Sequence, residues 1–314
     1  MERLIMLGTG CTEAEICYHS CFAIQKGREY LLVDGGGGSR ILTRLKEAQI
    51  PLTGIHHIFA SCEREDHLLG LVWVIKEIAK LIRDEVFEGE LRIYCRPDLA
   101  DTLRTVCSMV LPKKLTWLFD HRIVFVSVYD GDSRQMMGYE TTFFDLHTVR
   151  SRQFGFAMTM GNGARLVFAG SEPLNEQCFD YAAGADLLIH EAYCLYSQQE
   201  TFRAYEKNLG TVRDACELAN YLQIPNLLLY STEEVNLKRR AELYQAEGRL
   251  YYKGNIIVPG DLESIEFDDA FQDEADSDAR AAGEADGSLM DTLKGLEHLL
   301  DAADTLGMGS EDDD

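Results

Sequence analysis

The stretch Ile58-Phe59-Ala60-Ser61-Cys62-Glu63-Arg64-Glu65-Asp66-His67-Leu68-Leu69-Gly70-Leu71 decides the fold of this chain. Its apolar start, together with His57, reads as a short strand over 57–60. The polar residues from Ser61 read as a loop. Beyond them Leu68, Leu71, Val72, Ile75, Ile78 and Ile82 recur mainly at steps of three and four, which predicts a helix over 66–82 with one apolar face. Within the loop Cys62, Arg64 and Asp66 alternate, so on an extended backbone their side chains share a side. A thiol, a guanidinium and a carboxylate therefore gather beside His67 where the helix begins.

Outward from that unit, the chain keeps alternating. Short segments rich in branched and aromatic residues predict strands at 4–7, 20–24, 30–33, 91–94, 123–128, 140–146, 154–160, 165–169, 185–189, 227–230 and 264–267. Asn162-Gly163 between two of them is a hairpin signal. Helices are predicted over 39–48, 97–110, 172–182, 211–222 and 234–246. Hairpins mixed with βα units predict mixed sheets in an α/β (α+β) fold.

Composition bounds the function. The 314 residues are 46% hydrophobic and carry 30 Lys and Arg against 53 Asp and Glu, a formal charge of −23. That is too apolar for disorder and argues against a protein that wraps nucleic-acid phosphates. A local basic groove around Arg150, Arg152 and Arg165 stays compatible with it. The longest apolar runs fall far below the roughly 20 residues a membrane span needs, and the N-terminus lacks a signal-peptide layout. The nine cysteines, odd in number and scattered through apolar segments, read as reduced core thiols. A cytoplasmic location follows from these readings.

Composition shifts once. Residues 268–314 hold 16 acidic residues and two basic ones, Arg280 and Lys294. The predicted organisation is a domain over 1–267, an acidic linker over 268–287, an amphipathic helix over 288–307 and an acidic terminus over 308–314. Leu289, Leu293, Leu296, Leu300, Ala303 and Leu306 form the apolar stripe of that helix, with Ser288 as its cap. The stripe either docks on its own domain or enters a partner's groove.

The segments Leu7-Gly8-Thr9-Gly10, Leu31-Leu32-Val33-Asp34-Gly35-Gly36-Gly37, the 58–71 stretch, Leu146-His147-Thr148-Val149, Leu166-Val167-Phe168-Ala169-Gly170-Ser171 and Ala185-Asp186-Leu187-Leu188-Ile189-His190-Glu191-Ala192 follow one another in a telling order. Together they resemble the metallo-β-lactamase superfamily, in its ribonuclease Z-like branch, over about 1–267. The resemblance implies an αββα four-layer sandwich of two mixed sheets with the site at one sheet edge. It also implies two metal ions held by a His-x-His-x-Asp-His loop, a later His, a bridging Asp and a final His. Dimerisation is suggested only by that resemblance.

This sequence departs from the pattern. The loop reads Cys62-x-Arg64-x-Asp66-His67, Ser171 stands where the bridging Asp is expected, and Ser231 stands where the final His is expected. Asp66, His67 and His147 match ligand positions, and Cys62 is a substitute donor. A guanidinium has no lone pair to offer. A dication about 4 Å from it would be opposed by roughly 8 kcal/mol at an effective dielectric of about 20. Arg64 is therefore expected to replace part of the metal's charge and to pair with Asp66. Plainer readings exist for each residue: Asp66 as a helix cap, His67 and His147 as hydrogen-bonded remnants, Cys62 as a buried thiol, His190 as structural. Asp34, ending a strand before four glycines, reads as an organiser of its loop.

Two functions remain in play. The first is a non-catalytic binding or regulatory protein with no cofactor. Its cleft would be lined by Arg64, His67, His147, Ser171 and Ser231, and its partner would be a protein contacted through the acidic tail and its helix, or an active relative. The second is a phosphodiesterase-type hydrolase using one zinc or other divalent ion on Cys62, Asp66, His67 and His147, with Asp66 and His190 as catalytic candidates. His147 and Ser171 are only 24 positions apart, which leaves no room for the arm that grips transfer RNA in the familiar ribonuclease Z enzymes.

Overall fold

The computed structural model describes residues 2–267. The linker, helix and terminus expected over 268–314 lie outside the described residues. Six strands come first: β1 (Glu2–Gly8), β2 (Cys21–Lys26), β3 (Glu29–Val33), β4 (Ile55–Phe59), β5 (Leu91–Cys95) and β6 (Ile123–Ser127). Seven follow: β7 (Ser133–Met136), β8 (Tyr139–Asp145), β9 (Phe154–Thr159), β10 (Arg165–Phe168), β11 (Leu187–Glu191), β12 (Asn226–Tyr230) and β13 (Asn255–Ile257). The last, β14 (Ser264–Glu266), returns to the first group.

They form two sheets, ordered β14-β1-β2-β3-β4-β5-β6 and β13-β12-β11-β10-β9-β8-β7. Each is mixed. From β14 to β3 and from β7 to β10 the pairs are antiparallel; from β3 to β6 and from β10 to β13 they are parallel.

Strand alternation assigns side chains to layers. Along β1, Leu4 and Met6 enter the core shared by the two sheets, whereas Ile5 and Leu7 enter the core beneath the helices of the first sheet. The inter-sheet core is strongly aromatic: Phe59 stacks on Phe143 with ring centroids 5.6 Å apart and meets Phe156 edge-on at 5.2 Å. The helical core over the first sheet is built by α1 (Arg40–Glu47), α2 (Glu65–Arg83), α3 (Pro97–Val110) and the single turn α4 (Lys113–Thr116). After the short α5 (Phe179–Ala182) and α6 (Gln199–Phe202), α7 (Val212–Tyr221) and α8 (Arg240–Gly248) cover the second sheet. The result is the αββα sandwich. No helix among the described residues is long and apolar enough to cross a membrane.

Two predicted helices are shorter than periodicity implied. Over 172–182 only a 3-10 turn and α5 form, because Glu172 accepts main-chain N–H bonds from Val149 and Arg150 and Leu174 N–H donates to His190. The helix predicted from Glu234 starts at Arg240, because the Glu234 carboxylate instead receives the N–H groups of Glu15, Ile16 and Cys17. α7 matches its prediction, opened by a reciprocal capping box between Thr211 and Asp214. Strand β7 is mostly polar and β13 is only three residues long, and neither is predicted from the sequence. All nine cysteines are buried and free.

Candidate functional site

The site forms where loops leave the strand ends of both sheets. Asp34 follows β3 with φ of 57°, a left-handed conformation that Asp tolerates because its side chain bonds locally. Its carboxylate accepts the main-chain N–H of Ser61 at 2.8 Å and the Ser61 hydroxyl at 2.7 Å. It also accepts Nδ1–H of His67 at 2.7 Å. One acid thus holds the loop after β4 and the ring that opens α2.

Arg64 precedes α2 on extended backbone and turns its guanidinium back across the first turn. Nε donates to Asp66 Oδ1 at 3.1 Å and Nη2 to Asp66 Oδ2 at 2.8 Å, a two-pronged pair. Nη2 also lies 3.1 Å from Thr12 Oγ1 and 3.1 Å from His67 Nε2. Thr12, in the loop after β1, donates to Asp66 Oδ2 at 2.8 Å. Burial pushes the Asp66 carboxyl up, but the imidazole of His67 and the guanidinium of Arg64 outweigh it and hold it well below the usual carboxylate range. Asp66 is therefore not the cap of α2: its oxygens go to Arg64 and Thr12. Burial lowers the pKa of His67, but the carboxylates of Asp66 and Asp34 outweigh it and raise it, with Nδ1–H directed to Asp34. The cation beside Asp66 and His67 is the guanidinium itself.

The second sheet supplies Ser171, past β10, and Ser231, past β12. Ser171 Oγ is 3.2 Å from His67 Nε2 and 3.2 Å from Gln153 Oε1. Gln153 is in turn held by Glu172 through a 2.8 Å bond. Ser231 is buried with φ of 60°. Arg64, Ser171 and Ser231 line one small cavity of about 20 Å³, together with Thr12, Glu13 and Lys207.

Three expected site residues take other places. His147 is exposed on left-handed backbone, and its main-chain N–H donates to Asp145; it does not line this cavity. His190 is buried, its Nδ1 donating to its neighbour's carbonyl Glu191 O at 2.6 Å and its Nε2 accepting from Leu174 N–H at 3.1 Å. Burial lowers its pKa, and with both nitrogens occupied by main chain it anchors the 171–174 loop instead of moving protons. Cys62 is fully buried, which pushes its thiol up to about 12 and keeps it protonated at neutral pH.

These residues do not fit a metal. Among the described residues no group of three or more His, Cys, Asp or Glu converges as a ligand set. Two serine hydroxyls and an intruding guanidinium are the wrong donors, and the Asp66 carboxylate is already paired with that guanidinium. The Arg150, Arg152 and Arg165 groove does not assemble either. Arg152 pairs with Asp145, Arg165 donates to the carbonyls of Tyr181 and Ala183, and Arg150 alone lines the cavity. Thr12, Gln153, Glu172 and Lys207 escaped sequence reading, since each acts through a contact distant in sequence. Thr12 alone carried a cue, lying two positions beyond the Gly8-Thr9-Gly10 turn.

The model of the family described as anti-Pycsar protein Apyc1 matches residues 2–216. The chain belongs to that family. The matched region contains the Cys62–His67 loop, His147, Ser171 and His190; Ser231 follows it. Among solved structures, this Apyc1-family chain resembles the metallo-β-lactamase fold protein YhfI from Bacillus subtilis, with TM-score 0.66, 16% identity, and coverage of 84% of this chain and 98% of that one. It also resembles the short form of human tRNase Z, with TM-score 0.63, 18% identity and coverage of 84% and 98%. A diphosphatase from the PhnP family gives 0.64, 12%, 85% and 98%. These likenesses establish the metallo-β-lactamase fold, shared with ribonuclease Z-like proteins. Curated proteins give no match.

Proposed function

We propose that this Apyc1-family chain is a non-catalytic, metal-independent binding or regulatory member of the metallo-β-lactamase fold. The observation that carries the reading is the Arg64 guanidinium paired with Asp66 and seated 3.1 Å from His67 Nε2, against the two residues that match ligand positions in the loop. A dication there would meet a fixed positive charge and a carboxylate already paired with it. An anti-Pycsar role carried over from the family description would then be exercised by binding and not by turnover. The partner contact is assigned, within the same proposal, to residues 268–314 with their acidic charge and single apolar stripe. A cytoplasmic location belongs to this reading as well.

Metal content tests it. Purified untagged protein, incubated with excess zinc or manganese and desalted, is expected to keep less than about a tenth of an ion per chain, because its donors are committed elsewhere. Elemental analysis showing close to one ion per chain, lost in His67→Ala, would overturn the reading in favour of a one-metal hydrolase.

A further inference from the structure

The cavity beside Arg64 differs in charge from the rest of this acidic protein. Three cations line it, Arg64, Arg150 and Lys207, against one carboxylate, Glu13. Arg64 is balanced by Asp66, but its Nη1 is buried without a hydrogen-bond partner. A buried guanidinium N–H left in that state is unfavourable and favours any acceptor that reaches it. The Arg150 guanidinium makes no ion pair among the described residues. Lys207 Nζ lies 2.9 Å from both oxygens of Glu13 and 3.0 Å from the hydroxyl of Tyr193, which itself donates to Glu13 at 2.9 Å. Glu13 thus occupies the oxyanion position of a ready-made set of donors.

We infer that the cavity is an anion site for a terminal phosphate monoester, with Glu13 as the built-in carboxylate that such a ligand displaces. Charge selects the ligand: once Glu13 swings out, Arg150 and Lys207 leave two uncompensated positive charges beside Arg64 Nη1, which a dianion balances and a monoanionic diester does not. Size requires the displacement, since about 20 Å³ holds little more than one water. The displacement is easy, because the Glu13 side chain is 61% exposed and an ion pair so placed contributes little. The backbone need not move. Glu234 holds the following residues through the N–H groups of Glu15, Ile16 and Cys17, and Thr12 is tied to Asp66. Ser171 and Ser231 line the same space.

The inference rests on the non-catalytic reading only in that Arg64, not a metal, fills the centre. Calorimetric titration of the full chain with inorganic phosphate, phenyl phosphate and dimethyl phosphate tests it. Phosphate and phenyl phosphate are expected to bind at least tenfold more tightly than dimethyl phosphate. Glu13→Gln should tighten both by about tenfold, and Arg150→Ala or Lys207→Ala should weaken both by tenfold or more. Failure of phosphate and phenyl phosphate to bind either the parent or Glu13→Gln overturns the anion site and leaves the non-catalytic reading standing. Binding that Glu13→Gln does not strengthen overturns the displacement. Phenol release from phenyl phosphate, dependent on added metal, would overturn the non-catalytic reading while the binding data keep the site.

Discussion

Gly70→Ala is expected to destabilise the protein by more than about 3 kcal/mol, although it replaces a glycine inside a helix. On propensity alone the change would stabilise α2 by about 1 kcal/mol. The reversal comes from packing. A Cβ at Gly70 would stand 1.7 Å from the carbonyl oxygen of Gly35, and one at Gly35 would stand 2.4 Å from the main-chain N of Leu71. Two backbones touch here, joined by Gly35 N–H to His67 O and Gly70 N–H to Gly36 O, both at 2.8 Å. Neither is the free end of a side chain, so the clash is relieved only by lifting α2 off the glycine loop. Lifting it also separates His67 from Asp34, so the site is lost along with the stability. Urea unfolding measures the effect. Unchanged or greater stability would show that the loop yields without cost.

Much of this arrangement was legible in the sequence, for a definable reason. Strand, loop and helix around 58–71 follow from period-two and period-3.6 patterns, which depend only on neighbours along the chain. Arg64 and Asp66 are likewise two residues apart, and their opposite charges make pairing the expected outcome. The Asp34–Gly35–Gly36 segment announces a loop, but the reason for Gly35 lies on α2, more than thirty residues away, and that for Gly36 in its φ of 67° and the Tyr18 ring packed on it. The same distance hid Thr12, Glu13 and Lys207, since nothing local to any of them marks a partner. His147 shows the converse. It stands at the expected place in the order of motifs, yet its left-handed backbone and exposure leave it out of the cavity. His190 matches its motif too, but its ring is satisfied by main chain at both nitrogens. Motif order places a residue on a strand end; the hydrogen bonds that decide its chemistry come from other strands.

Removing Arg64 is the second large effect, and its pH dependence separates charge from packing. The Arg64 and Asp66 side chains are only 11% and 4% exposed, so Arg64→Ala leaves a buried carboxylate without its main partner and is expected to cost about 3 kcal/mol at pH 7. Asp66→Asn in the same chain should restore much of that, because an amide needs no counter-charge. In the parent the Asp66 carboxyl is held below its unfolded value of about 3.9, so its contribution is fully present above that pH and is lost as pH falls through the folded value. Without Arg64 its hydrogen bonds and charge no longer oppose burial, so the carboxyl rises from that depressed value and its ionisation contributes less to folding. The gap between parent and Arg64→Ala is therefore full at neutral pH and closes as pH falls below about 4. A gap that stays constant with pH, with no recovery in the double variant, would reduce Arg64 to a packing residue. Zinc adds a last discrimination. If the guanidinium merely blocked an otherwise competent metal site, zinc would stabilise Arg64→Ala by mass action. No such stabilisation is expected, because the hydroxyls of Ser171 and Ser231 still stand where an ion needs anionic or imidazole donors.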